Sequence, residues 1–333
     1  MQWLQCFESG AALRGRSLLM AWVAITCPQC SAPLPRVAIW RAVKCPSCGA
    51  LINRTEAMVL RDSFHQALLR ARQGQGGAGA DLQCGGESYH VIQTLGSGGI
   101  SQVYLARRIG EQPFLATIKV SSSPDAAASY AREAEVLREL QASQSGAASI
   151  YAAQRLPEVI TQGPVAGGAS KQALVLRHPI GYWGSLAALS ERFSNGIDPR
   201  HAVWIWRRLL DVLHFLHAQG WSHGDVRPEH ALVHVQDHGV RLIGWASAKR
   251  NASESDQSTD LLRCARVVRV LVCGAGGSGV IPHGVPAGLT ELLMSASEDE
   301  NFCQTQGAHG LDVLLRTAAQ EAFGAPSFLP LII

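Results

Sequence analysis

The chain has 333 residues, of which 47% are hydrophobic and 17% charged, with a formal net charge of +3. That composition supplies a sizeable core and excludes wholesale disorder, and the charge is too small to select nucleic acid or an anionic membrane as a partner. No run approaches the ~20 consecutive apolar residues of a membrane helix, so a cytoplasmic protein without a membrane partner is expected.

In chain order, Leu18 to Ile25 follows Arg14 and Arg16 as a signal peptide would, but the apolar run is short. Met20 offers a second start, so residues 1–19 are read as an uncertain leader or a mis-assigned start. Cys27-Pro28-Gln29-Cys30 and Cys45-Pro46-Ser47-Cys48 follow, fourteen residues apart. Two C-x-x-C turns at that spacing can set four thiolates around one tetrahedral ion, and metal bonding then replaces the core that so small a unit lacks. Residues 20–53 are therefore read as a zinc ribbon with Cys27, Cys30, Cys45 and Cys48 as ligands. Four thiolates leave no open position for chemistry, so the zinc is structural. The other five cysteines are scattered, which fits a reducing compartment. Between the knuckles, Arg36 to Trp40 reads as a strand.

Thr55 can cap a helix running to Arg72, with Leu60, Phe64, Ala67 and Leu68 on one face. Gln73 to Gly79 is a flexible linker by composition. Residues 54–83 thus form a helix and linker, and a second domain spans 84–325. That domain begins with Gly96-Ser97-Gly98-Gly99-Ile100-Ser101 between strand-like flanks; such a hairpin lets backbone amides approach phosphates, although alone it is often merely a turn. Ala116-Thr117-Ile118-Lys119 is a strand. Tyr130 to Leu137 is helical and carries Glu133 and Glu135, which can equally be its charged face. Leu174 to Leu176 is apolar and runs into Pro179. Asp198-Pro199 caps and starts a helix whose buried stripe is Trp206, Leu210, Leu213 and His217. It leads to His223-Gly224-Asp225-Val226-Arg227-Pro228-Glu229-His230-Ala231-Leu232, and then to Ile243-Gly244-Trp245.

The order and spacing of these segments resemble the eukaryotic-like Ser/Thr protein kinase superfamily in its bacterial form. The His-Gly-Asp and Ile-Gly-Trp wording is also similar to the aminoglycoside-phosphotransferase branch. The resemblance implies an α+β, bilobal domain with a β-rich upper lobe and a helical lower lobe, preceded here by the ribbon. It places Gly96, Gly98, Val103, Lys119, Glu133 (Glu135 as fallback) and Leu176 around ATP, and Asp225 at the catalytic base with Arg227 beside the transferred phosphoryl. His223 and Trp245 would stack in a column under the site, joined by Leu137 from above. Asp260 would brace the catalytic loop. Leu289 to Leu293 and Ala308 to Leu315 would form closing helices.

The sequence departs from the pattern where metal binding should occur. His230 stands in place of the family's Asn and Gly244 in place of its Asp, and magnesium prefers oxygen ligands to imidazole. Pro179 cannot offer the amide N–H expected opposite adenine. Gly224 replaces the Arg that would grip a phosphorylated loop. Ser247 to Thr259 reads as a solvated loop, with sixteen residues from Gly244 to Asp260. The histidines at 214, 217, 223, 230, 234 and 238 are assigned to fold positions, not to a metal site. The expectation is a pseudokinase-like scaffold or regulator whose lobe and ribbon bind protein partners, with ATP weak or magnesium-independent. The alternatives are an active ATP-dependent Ser/Thr kinase or small-molecule phosphotransferase using Asp225, and a ribbon-based nucleic-acid regulator, which the modest charge disfavours.

Overall fold

The computed structural model describes residues 81–333 except 99, 143–154, 169, 180, 235–238, 276–278, 328 and 330, and before them only Val23, Ala24, Cys27, Leu34, 43–45, 50–52, Val59 and Leu60. Two short ladders frame the cysteine motifs. β1 (Val23–Ala24) pairs antiparallel with β4 (Val59–Leu60), and β2 (Val43–Lys44) pairs with β3 (Leu51–Ile52). Cys45 opens the turn after β2, its N–H donating to the Ala50 carbonyl at 2.8 Å. Cys27 and Cys45 are each 1% exposed. With Leu34 and Ala50 they belong to an apolar cluster that also holds Tyr89, Ala106, Ala116 and Ile118. Cys30, Cys48, residues 1–19, Arg36 to Trp40 and Gln73 to Gly79 lie outside the described residues.

One expectation fails in this segment. Val59–Leu60 is a strand, not part of a helix from Thr55. A β-branched residue followed by leucine suits a pleated ladder, and Val23–Ala24 supplies the partner that local periodicity could not reveal.

The upper lobe is a six-stranded antiparallel sheet in the order β5-β6-β7-β8-β10-β9. Its strands are β5 (Asp81–Cys84), β6 (Glu87–Ser97), β7 (Gln102–Ile109), β8 (Leu115–Ser121), β9 (Val159–Pro164) and β10 (Gln172–Arg177). Helix α1 (Ala126–Ala142) packs on β9 and β10. Alternation along β8 buries Ala116, Ile118 and Val120 on one face, leaving Thr117 and Lys119 together on the other. The sheet begins at Asp81, slightly before the expected boundary at residue 84.

The lower lobe follows β11 (Tyr182–Ser185). It contains α2 (Leu186–Arg192), α3 (Pro199–His217), β12 (Trp221–Ser222), the hairpin β13 (Ala231–His234) with β14 (Gly239–Leu242), and β15 (Lys249–Arg250). Three helices complete it: α4 (Glu254–Cys273), α5 (Ala287–Glu298) and α6 (Glu300–Phe323). Asp198 caps α3 by accepting from the Arg200 N–H, with proline in the first turn. Trp206, Leu210 and Leu213 are buried as expected, and α3, α4 and α6 pack on one another. A single apolar cluster runs from Tyr130 and Leu137 on α1, through Trp245, to Leu311 and Leu315 on α6, and takes in Leu331 beyond the expected end of the domain.

A second expectation is corrected here. Ser247 to Thr259 is not a solvated loop, because α4 already begins at Glu254. Ser253 and Asp256 form a reciprocal capping box. The same Ser and Asp residues that mark loops by composition also satisfy the orphan N–H groups of a helix start.

Candidate functional site

Lys119 and Glu133 meet in the cleft. The Lys119 Nζ lies 2.7 Å from both Glu133 carboxylate oxygens. Glu133 is 2% exposed, and Glu135 instead pairs with Arg132 at the surface, which settles the choice between the two glutamates. The glycine-rich hairpin joins β6 to β7, with Gly96 and Gly98 exposed and Val103 half-buried. Its tip is held inward by contacts the sequence did not reveal. Ser101 Oγ lies 2.7 Å from the buried Tyr130 hydroxyl, and Ser121 Oγ donates to the Ile100 carbonyl at 2.5 Å.

Leu176 is buried opposite Thr117 on β8. Just beyond it, His178 Nδ1 lies 2.9 Å from Thr117 Oγ1, on the face of β8 that carries Lys119. The His178 N–H donates to the Leu115 carbonyl at 3.0 Å, and Pro179 has no N–H to offer. Burial, with the nearby Arg241 charge, pushes the His178 pKa down to about 4.

Below the cleft, Asp225, Arg227, His230 and Gly244 form one closed group. The His230 Nδ1 is 3.1 Å from the Asp225 carbonyl oxygen and 3.1 Å from Asp225 Oδ2. Its Nε2 is 2.9 Å from Arg227 Nη2. A guanidinium can only donate, so Nε2 accepts and the proton sits on Nδ1, facing Asp225. The imidazole is therefore neutral, and burial holds its pKa below the ordinary value. Arg227 Nε also approaches Asp225 Oδ2 at 3.7 Å. Gly244 is left-handed (φ +81°), and a Cβ there would lie 2.7 Å from the His230 ring atoms Cε1 and Nδ1. The histidine ring thus fills the space that a side chain at 244 would use. Position 244 offers no donor, and both nitrogens of His230 are engaged within the protein. These residues do not fit a magnesium ion.

The loop that carries Asp225 is rigidly mounted. Asp260, fully buried, accepts from the N–H groups of His223 at 2.6 Å and Gly224 at 2.9 Å. The Arg263 guanidinium donates to the Gly224 carbonyl. His223 meets Trp245 edge-on with ring centroids 4.6 Å apart, as expected of the column. Burial pushes the His223 pKa down to about 4.

Gly224, also left-handed, lets the chain after Gly244 lie directly on this loop: a Cβ there would be 2.5 Å from the Ser247 carbonyl oxygen. That chain is in turn bonded to α1. Arg132 donates to the Ala248 carbonyl at 3.1 Å, its guanidinium 5.9 Å from the Trp221 ring centroid, and Arg250 pairs with Glu139. No local pattern in the sequence points to this clamp. Among the described residues no three metal-ligating side chains converge, and no helix is long and apolar enough to cross a membrane.

Comparison with known proteins agrees with this geometry. The model of the protein kinase domain family matches residues 89–265, from β6 to α4. A probable casein kinase I homolog of Encephalitozoon cuniculi is 22% identical over 144 residues, which are 43% of this chain and 41% of that protein's length. The crystal structure of the Mycobacterium tuberculosis PknI kinase domain is similar in fold, with a TM-score of 0.51 and 19% identity, covering 69% of this chain and 96% of that one. The interlocked Lys119–Glu133 pair, the braced Asp225 loop and the family match over more than half the chain lead to one conclusion: this chain belongs to the protein kinase domain family.

Proposed function

We propose that the domain works as a pseudokinase, a kinase-shaped scaffold or regulator that binds protein partners, with nucleotide binding that is weak or independent of magnesium. The observation that carries this reading is the His230 ring seated against Gly244. Kinase catalysis rests on positioning and on metal ions that neutralise the developing charge, and here one metal-ligand position is empty of atoms while the other is turned toward Asp225 and Arg227. The His178–Thr117 contact and Pro179 further reduce what the chain after Leu176 can offer adenine. Cys27, Cys30, Cys45 and Cys48 would hold a structural zinc; the Cys45 turn and the burial of Cys27 and Cys45 support that assignment. The ribbon then supplies a second docking surface, in a bacterial-type cytoplasmic signalling protein.

The intact Lys119–Glu133 pair favours a second reading, an active Ser/Thr kinase or small-molecule phosphotransferase with Asp225 as base. Calorimetric titration of ATP into the zinc-loaded protein, with and without magnesium and with Lys119→Ala as control, separates the two. Binding unaffected by magnesium, or no binding, is expected. Tight magnesium-dependent binding that Lys119→Ala abolishes would overturn the pseudokinase reading. The double variant Gly244→Asp with His230→Asn should then gain magnesium-dependent affinity if the metal site is what the chain lacks.

A further inference from the structure

The chain that leaves β10 turns one of its own side chains back into the cleft. Residues directly opposite in a ladder share a face of the sheet. Leu174 stands opposite Lys119, and Leu176 opposite Thr117. The His178 N–H extends that ladder by donating to the Leu115 carbonyl at 3.0 Å, which puts His178 on the face that carries Leu176, Thr117 and Lys119. Its Nδ1 lies 2.9 Å from Thr117 Oγ1. We propose that the His178 imidazole is a built-in plug, seated where the base of a purine nucleotide would lie with its phosphates at Lys119. This plug presupposes the weak nucleotide binding proposed above, and names a side chain that weakens it.

The spacing along β8 fits that position. Thr117 and Lys119 are two residues apart, about 7 Å along a strand, so a ligand with phosphates at Lys119 reaches Thr117 with its other end. The floor fits it as well. On the hairpin below, Arg241 of β14 stands opposite Leu232 of β13, its guanidinium 5.3 Å from the Tyr182 ring centroid. Burial, and after it the Arg241 charge, keeps the His178 ring uncharged at neutral pH. The ring is thus bonded to the upper lobe while it feels a charge from the lower one.

The chemistry of the ring completes the case. A neutral imidazole carries one donor and one acceptor nitrogen, and imidazole is itself the five-membered ring of a purine. His178 therefore offers Thr117 the kind of contact that a bound base would offer. Because it is tethered to the chain, it competes at a high local concentration that a free ligand must match.

The test is equilibrium dialysis of adenosine, which carries no phosphate and needs no magnesium, against the full chain. His178→Ala should bind adenosine roughly tenfold more tightly than the wild type, because no hydrogen-bonded side chain then has to be expelled. Thr117→Val keeps the shape of the strand residue but loses the hydroxyl that holds the ring. It should gain in the same direction by a smaller factor, and it decides the question if His178→Ala does not fold. His283→Ala, at an exposed position, should match the wild type. An affinity no higher than the wild type's in either folded cleft variant overturns the plug. That failure would leave the pseudokinase reading standing, since it rests on His230 and Gly244, whereas magnesium-dependent ATP binding is what overturns that one.

Discussion

Gly224, His178 and His223 show how single positions hold the domain in its present form. At Gly224 a methyl group would stand 2.5 Å from the Ser247 carbonyl oxygen, on a backbone at φ +76°. Neither strain can relax without moving the loop that Asp260 and Arg263 fix. Gly224→Ala should therefore destabilise the protein by about 2–4 kcal/mol. Gly284→Ala, where a Cβ meets nothing within 4 Å, should stay within about 0.5 kcal/mol. Denaturant unfolding of the two variants checks this, and equal midpoints would show that the approach of the two chains is loose.

His178 and His223 give the pH dependence. Both pKa values are pushed down by burial to about 4, whereas the unfolded chain protonates them near 6.5. Below about pH 6.5 the unfolded state binds protons that the folded state refuses, so stability falls as pH drops from about 6.5 to 4, by up to about 3 kcal/mol per histidine. His178→Gln should flatten that slope by one proton's share, and an unchanged slope would mean that the His178 ring titrates freely.

At the level of elements, the clamp joins α1, which carries Glu133, to the chain after Gly244. Arg132 contributes one hydrogen bond and one ring contact, together worth roughly 1–2 kcal/mol. Arg132→Ala should lower stability by that amount and speed amide exchange in α1 and in residues 245–250 together. Exchange that rises in only one of them would show that they are not mechanically joined.

Element boundaries also show what could be read from sequence. The cap at Asp198 and the β8 strand were legible in neighbouring residues, and the Asp225 loop through the family pattern that it resembles. The start of α4 was written in the Ser253 and Asp256 spacing, yet composition alone pointed to a loop. The strand at Val59–Leu60 depends on a partner more than thirty residues earlier. Ser101 with Tyr130, Thr117 with His178, and Arg132 with Ala248 join positions 29, 61 and 116 apart. No periodicity announces such pairs. His230 and Gly244 were each visible as departures from the family pattern. That one fills the space left by the other is a fact of packing, which a string of letters does not contain.

Across the whole molecule, the short chain between Gly244 and α4 is held by a turn, a strand pairing, a cap and hydrogen bonds. Residues 245–247 form a 3-10 turn, Ala248 accepts from Arg132, and Lys249–Arg250 pair with Trp221–Ser222. Asn251 is left-handed, Ala252 donates to the Gly220 carbonyl at 2.9 Å, and Ser253 caps α4. A segment held at so many points has less room to swing between two states than a long activation loop. If the domain serves as a scaffold, the quantity that carries information is then the number of copies present. An enzyme multiplies a signal by turnover, whereas a rigid adaptor can only match its partners one for one. Halving its abundance should halve the complexes it forms, while a surplus over both partners should separate them onto different copies and silence the output.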